Sequence, residues 1–405
     1  MRKTRIITLV VCLALGVASA SMYFFVLKKE APLTATQTSN VDNTQTKSAE
    51  DKTAEPKKTR FIATGDFIGH DAINKHAKTE SGYSYAPFMD QMKPLFSSAD
   101  IRFCNQATLV GGEQFAITGY PSFNSPAQFA KDMAGIGCNV INTASNHSAD
   151  KSQAVIDANV TLWNNIPNTL AVAGQYSSAA EQQKIATFEV DGMKYAFLAY
   201  TTYSNSPPQT AYGVNMYSRE RVASQVATAK AAGAQFIVIS MRWGTEYSQS
   251  VNAYQVAESQ YLADLGVQLV LGHGPHVLEP VKLLTGKDGN ETVVWYSLGN
   301  FLHAQLEPET LFNGVAVMDI DPKTAKITAV GFLPIYMHYE WTSDQAARQD
   351  LLARKNFELV PLEKADDLLA KSLVASAKEM QLQRIQTTLN TFTQVPLRTL
   401  AELGL

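Results

Sequence analysis

Arg60-Phe61-Ile62-Ala63-Thr64-Gly65-Asp66 is the stretch on which the fold turns. Its apolar and β-branched run reads as a buried strand, and Gly-Asp at its end leaves a carboxylate where the strand stops. The same pattern recurs downstream. Ile101-Arg102-Phe103-Cys104-Asn105 is a second such strand, after a helical stretch carrying Phe88, Met89, Met92 and Phe96. Cys138-Asn139-Val140-Ile141-Asn142-Thr143-Ala144 is a third, followed by a helix through Ala154 and Trp163. Further strands are predicted over Lys194–Tyr200, Gln235–Met241, Gln268–Leu271, Thr292–Ser297 and Gly314–Ile320. Strands alternating with helices imply an α/β fold with helices covering sheet faces.

Polar residues follow several strand ends, and in open α/β sheets that edge is where sites assemble. Five segments carry the chemistry: Thr64-Gly65-Asp66-Phe67-Ile68-Gly69-His70-Asp71, Asn105-Gln106-Ala107-Thr108, Ser145-Asn146-His147-Ser148-Ala149-Asp150, Met241-Arg242-Trp243-Gly244-Thr245-Glu246-Tyr247 and Gly272-His273-Gly274-Pro275-His276. A lone Gly-Asp or Asn-His is more often a turn or cap than a ligand. Together they bring oxygen and imidazole donors to one sheet edge, a mixture that suits Zn, Mn or Fe and metal-assisted hydrolysis.

The order and spacing of these segments over about residues 59–340 resemble the CapA family of capsule and poly-gamma-glutamate biosynthesis proteins. That family is a branch of the calcineurin-like metallophosphoesterase superfamily. Gly119-Tyr120-Pro121-Ser122-Phe123-Asn124-Ser125-Pro126, Asp150-Lys151 and Trp295-Tyr296-Ser297-Leu298-Gly299-Asn300-Phe301 strengthen the likeness. The resemblance implies a four-layer α/β/β/α metallophosphoesterase-like sandwich. It implies Asp66, Asn146, His273 and His276 as metal ligands, with His70 less secure. His147 becomes the acid that protonates a leaving group, the role of the histidine in the superfamily's Asn-His pair, and Asp150 is expected as a further catalytic residue.

Two positions depart from the family pattern. Asn105-Gln106-Ala107 stands where the resemblance implies Asn-x-Glu, and Arg242-Trp243-Gly244-Thr245-Glu246-Tyr247 where it implies His-Trp-Gly-x-Glu-Tyr. Alanine offers no ligand, and arginine stays protonated without a lone pair. The expected cofactor is therefore at most one divalent metal (Mn, Zn or Fe), or none. Arg242 is read either as an anion anchor, with Asn105 and Glu246 completing a substrate-binding set, or as half of a structural salt bridge to Glu246 or Asp66. Glu246 is otherwise expected to orient a histidine. His303 reads as structural, and Tyr120, Phe123, Trp243 and Tyr247 as core more readily than as walls of a polymer groove.

The remaining composition sets the context. The 405 residues are 45% hydrophobic and 18% charged with net charge -3, ordinary for a globular chain and without the polybasic character that nucleic acid requires. An apolar run from Ile6 to Val26, preceded by Arg2, Lys3 and Arg5, makes residues 1–29 a membrane anchor with the rest outside. Ala18-Ser19-Ala20 leaves a cleaved signal peptide as the alternative. Residues 30–58 read as a disordered tether, 59–342 as the folded domain and 343–405 as a helical extension. Cys104 and Cys138, placed at opposite ends of neighbouring strands, are expected as unbridged buried thiols. The functional expectation is a single-pass membrane protein with an extracytoplasmic domain. It would bind an anionic polymer, poly-gamma-glutamate or another envelope polymer, beside a membrane synthase or export complex. The alternative is a metal-dependent hydrolase or transferase using His147.

Overall fold

A computed structural model describes residues 57–374 and 377–405. The expected anchor and almost all of the expected tether lie outside the described residues. Among those described, no helix is long and apolar enough to cross a membrane.

Thirteen strands build two mixed sheets. They are β1 (Thr59–Phe67), β2 (Ile101–Gln106), β3 (Val140–Asn142), β4 (Ala171–Ala173), β5 (Ala186–Val190), β6 (Met193–Thr201) and β7 (Phe236–Arg242). β8 (Leu269–His273), β9 (Val281–Thr285), β10 (Glu291–Trp295), β11 (Phe312–Asp321), β12 (Lys326–Glu340) and β13 (Lys355–Pro361) complete the set. The seven-stranded sheet runs β13-β12-β11-β1-β2-β3-β4, the six-stranded sheet β9-β10-β8-β7-β6-β5. β1 to β4 are parallel to one another, as are β6, β7, β8 and β10, so the polar strand ends of each sheet emerge together.

Alternation along the strands shows how the layers stack. In β6, Tyr195, Phe197 and Ala199 face the seven-stranded sheet, where Phe197 meets Phe103 of β2 at 5.8 Å between ring centroids. Ala196, Leu198 and Tyr200 face outward onto Val222, Val226 and Leu262 of helices α3 (Arg219–Ala231) and α4 (Ala253–Asp264). A strand buried on both faces needs apolar residues at every position, which is why these read as continuous runs. Helices α1 (Ala127–Ile136) and α2 (Gln153–Asn164) contribute Phe129, Met133 and Trp163 to the core of the seven-stranded sheet.

Two expectations are corrected. Cys104 and Cys138 form a disulfide with Cα atoms 5.8 Å apart. β2 continues past Cys104 to Gln106, so that residue is interior to its strand, and Cys138 lies just before β3 rather than within it. The segment after residue 342 is not purely helical: β13 pairs with β12 and extends the seven-stranded sheet, with one longer helix, Lys378–Leu389, beyond it.

Candidate functional site

A cavity of about 990 Å3 opens where the parallel strands of the two sheets end. Asp66 is fixed there by a close backbone approach. A Cβ on Gly65 would sit 2.0 Å from the Gly299 carbonyl oxygen, so only glycine lets β1 run against the Leu298–Asn300 loop. The Asp66 N–H then donates to the Gly299 carbonyl at 3.0 Å, and the Phe301 N–H to the Asp66 carbonyl at 2.8 Å.

From Asp66 a chain of hydrogen bonds spreads across the floor. Asn142 Nδ2 donates to Asn105 Oδ1 at 2.6 Å, and Asn105 Nδ2 to Asp66 Oδ1 at 2.6 Å. His276 Nδ1 lies 2.9 Å from both Asp66 Oδ2 and Asn300 Oδ1. Both are acceptors, so the ring proton sits on Nδ1. Asn300 Nδ2 donates to Gln305 Oε1 at 2.7 Å, and Gln305 Nε2 to Tyr247 Oη at 3.3 Å. Gly274 makes the turn that presents His276: its φ is +113° and a Cβ would meet the Trp243 carbonyl at 2.5 Å.

Arg242, at the end of β7, is only 2% exposed although it lines the cavity. Its Nε donates to Asn146 Oδ1 at 3.0 Å, one Nη to Glu246 Oε1 at 2.9 Å, and its guanidinium carbon lies 4.2 Å from the centre of the Tyr203 ring. The other Nη, buried, has no hydrogen-bond partner. Leaving a charged donor buried and unpaired costs free energy unless something binds it. Glu246 thus orients a guanidinium and not a histidine, correcting the sequence expectation.

His147 and Asp150 form a second unit. His147 Nδ1 lies 2.7 Å from Asp150 Oδ2, which also accepts from the Phe123 N–H at 2.8 Å. A carboxylate only accepts, so Nδ1 carries the proton, and Nε2 is left beside Asn205 Nδ2 at 3.3 Å. A neutral imidazole in that state accepts a proton at Nε2 or, once protonated, gives one up.

His273 does not line the cavity. It shares the inner face of β8 with Leu269 and Leu271, stacks on Phe103 with ring centroids 5.6 Å apart, and bonds Ser240 Oγ through Nε2 at 2.6 Å. Burial pushes its pKa down to about 4. His303 is likewise fully buried and accepts the Gln305 N–H, the structural role expected. His70 lines the wall and accepts the Ala304 N–H at Nδ1.

The four residues expected to hold a metal therefore do not fit one as a set. His273 is in the core, Asn146 Oδ1 is occupied by Arg242 and both Asp66 oxygens accept hydrogen bonds, whereas His276, with its proton on Nδ1, keeps a lone pair only at Nε2. Among the described residues no group of three His, Cys, Asp or Glu side chains stands ready for a metal ion. Ala107 forms a small apolar patch with Ile68 and Phe123, so the wall where the resemblance implies a carboxylate is hydrocarbon.

Sequence reasoning did not single out Tyr203 and Asn205, though both follow the end of a predicted strand, the signal used elsewhere. Asn142 and Asn300 lay inside quoted strands and motifs without a role. Leu306, Leu351, Leu352 and Arg354 also line the cavity and carried no motif. Of the aromatics, Tyr120, Phe123 and Tyr247 line it, while Trp243 packs in the core behind.

The model of the family described as "Bacterial capsule synthesis protein PGA_cap" matches residues 60–305, more than half of the chain. PGA biosynthesis protein CapA of Bacillus subtilis (strain 168) is 32% identical over 171 residues, which are 41% of this chain and 43% of that protein. Capsule biosynthesis protein CapA of Bacillus anthracis is 24% identical over 202 residues, 46% of this chain and 47% of that one. The matches thus span less than half the length of these relatives. A crystal structure of a phosphatase from Mycoplasma pneumoniae aligns at 12% identity with a TM-score of 0.44, over 69% of this chain and 94% of that chain.

Proposed function

The chain belongs to the bacterial capsule synthesis protein family PGA_cap, and from that premise we propose that it binds an anionic envelope polymer, such as poly-gamma-glutamate, at the Arg242 pocket. The observation that carries this reading is the buried Arg242 guanidinium, held by Asn146 and Glu246, whose remaining Nη faces no protein acceptor. A carboxylate or phosphate oxygen supplies that acceptor, and a guanidinium fork suits either. Asn105 belongs to the floor beneath it. Charged hydrogen bonds contribute about 1.5–3 kcal/mol each, so Arg242→Gln should weaken binding of poly-gamma-glutamate roughly 10- to 100-fold in equilibrium binding to the purified full chain. Unchanged binding would sink the reading.

A second reading rests on the His147–Asp150 pair: a hydrolase or transferase acting on the same polymer. Nε2 faces the cavity in a state fit for proton transfer, and Arg242 would hold the oxyanion beside it. No step of this reading runs through a metal. His147→Gln abolishing polymer cleavage while sparing polymer binding would favour it.

We further propose that the folded part is extracytoplasmic and tethered by residues 1–29, beside a membrane synthase or export complex. The apolar run Ile6–Val26 supports this, as does the Cys104–Cys138 disulfide, since such bonds persist in oxidising compartments.

A further inference from the structure

Thirteen large hydrophobic side chains are exposed among the described residues, and six of them line this one cavity: Tyr120, Tyr203, Tyr247, Leu306, Leu351 and Leu352. Scattered exposed apolar residues need no explanation, but their concentration around a single opening does. Leu306, Leu351 and Leu352 are 37%, 43% and 43% exposed, and all three lie beyond the stretch matched to the family.

This lip is held in place. The turn Leu351–Ala353 is pinned by Arg354, whose Nε donates to the Leu351 carbonyl at 2.9 Å while one Nη bonds the Ala304 carbonyl. Lys75 Nζ reaches the Leu352 carbonyl at 3.0 Å from the helix Asp71–Ala77. Inside the lip the wall remains apolar through Ile68, Ala107 and Phe123. The cavity is therefore polar around Arg242, while across from it the lip leucines and the Ile68–Ala107–Phe123 patch stand among His70, Asp71, Gln305, Glu307 and Arg354.

We propose that, besides a polyanion, the Arg242 pocket accepts an amphiphile: an oxyanion headgroup, carboxylate or phosphate, carried on an apolar chain that lies along Phe123 and the Leu306–Leu351–Leu352 lip. This rests on the oxyanion reading of Arg242 and goes beyond it, because a purely polar polyanion leaves the lip leucines uncovered. A lip of fixed leucines gains nothing from a polar chain and repays apolar contact in proportion to the area buried.

Calorimetry on the purified full chain with inorganic phosphate, octyl phosphate, octanoate and octanol tests it. Octyl phosphate is expected to bind at least roughly tenfold tighter than inorganic phosphate, the order expected for a few buried methylenes. Leu351→Ser with Leu352→Ser should remove that gain and leave inorganic phosphate binding unchanged, and Leu306→Ser, on a different segment, should do the same in part. Octanoate binding as tightly as octyl phosphate assigns the headgroup to carboxylates, weaker octanoate assigns it to phosphates, and either outcome supports the inference. Octyl phosphate no tighter than phosphate, a gain that survives the serine variants, or octanol binding as tightly as octyl phosphate overturns it. No oxyanion binding at all, with Arg242→Gln silent, overturns the Arg242 reading itself.

Discussion

The strand ends of the two sheets meet at one cavity but treat their polar residues differently. On the seven-stranded side, Asp66, Asn105 and Asn142 satisfy one another and present a closed hydrogen-bonded floor. On the six-stranded side, Arg242 and His273 are register partners ending β7 and β8, and their fates diverge. His273 is short and is trapped between Phe103 and Ser240, whereas Arg242 is long enough to reach Asn146 and Glu246. A polar residue at a strand end reaches the site only if its side chain clears the intersheet core.

The largest expected effect is on the seven-stranded side, which also carries the covalent link. Cys104→Ser with Cys138→Ser opens a loop with a sequence separation of 34 and should cost roughly 3–4 kcal/mol of unfolding free energy in denaturant titration. A loss well below 1 kcal/mol would mean that hydrogen bonds alone hold this edge.

Next is His273→Ala, which leaves a cavity against Phe103 and strips Ser240 of its partner. It should lower stability by about 2–4 kcal/mol, with phosphate affinity unchanged. A variant that keeps stability but loses anion binding would place His273 in the site and break the contrast with Arg242.

A smaller effect is the dependence on pH. His273 is neutral when folded, with its pKa pushed by burial to about 4 from 6.5. The unfolded chain binds the proton first, so stability falls as pH drops from about 6.5 towards 4. Glu279 is the opposite case. Buried against Gln255 Nε2 at 2.6 Å, its pKa is raised to about 8 from 4.5, so the unfolded chain releases its proton first. Its contribution is full below about pH 4.5 and is lost as pH rises towards 8. His273→Leu should flatten the acid limb and Glu279→Gln the alkaline limb, read as thermal midpoint against pH.

Much of this was legible in the sequence. Each strand predicted from an apolar run exists, and Asp66, Asn105, Asn146, His147, Arg242 and His276, drawn from all five quoted segments, line one cavity, whereas His273 does not. The period-two pattern Leu269, Leu271, His273 held the missing information, since the two leucines mark the inward face. β12 escaped because Pro334 and Gly331 break its apolar pattern, although Pro334 pairs in register with Gly314. The disulfide and the leucine lip escaped for another reason: both depend on segments brought together by the tertiary fold, not on local pattern.

We propose that Ala107 and Arg242 turn a metal edge into an oxyanion site. The most direct measurement is calorimetric titration of Mn and Zn into the purified full chain, the single variant Ala107→Glu and the double variant Ala107→Glu with Arg242→His. The parent is expected to bind neither metal tightly, and the single variant to gain little because the new carboxylate pairs with Arg242. The double variant should bind most tightly, having gained two ligands and lost a repelling charge. Equal affinity in the parent and the double variant would contradict the account.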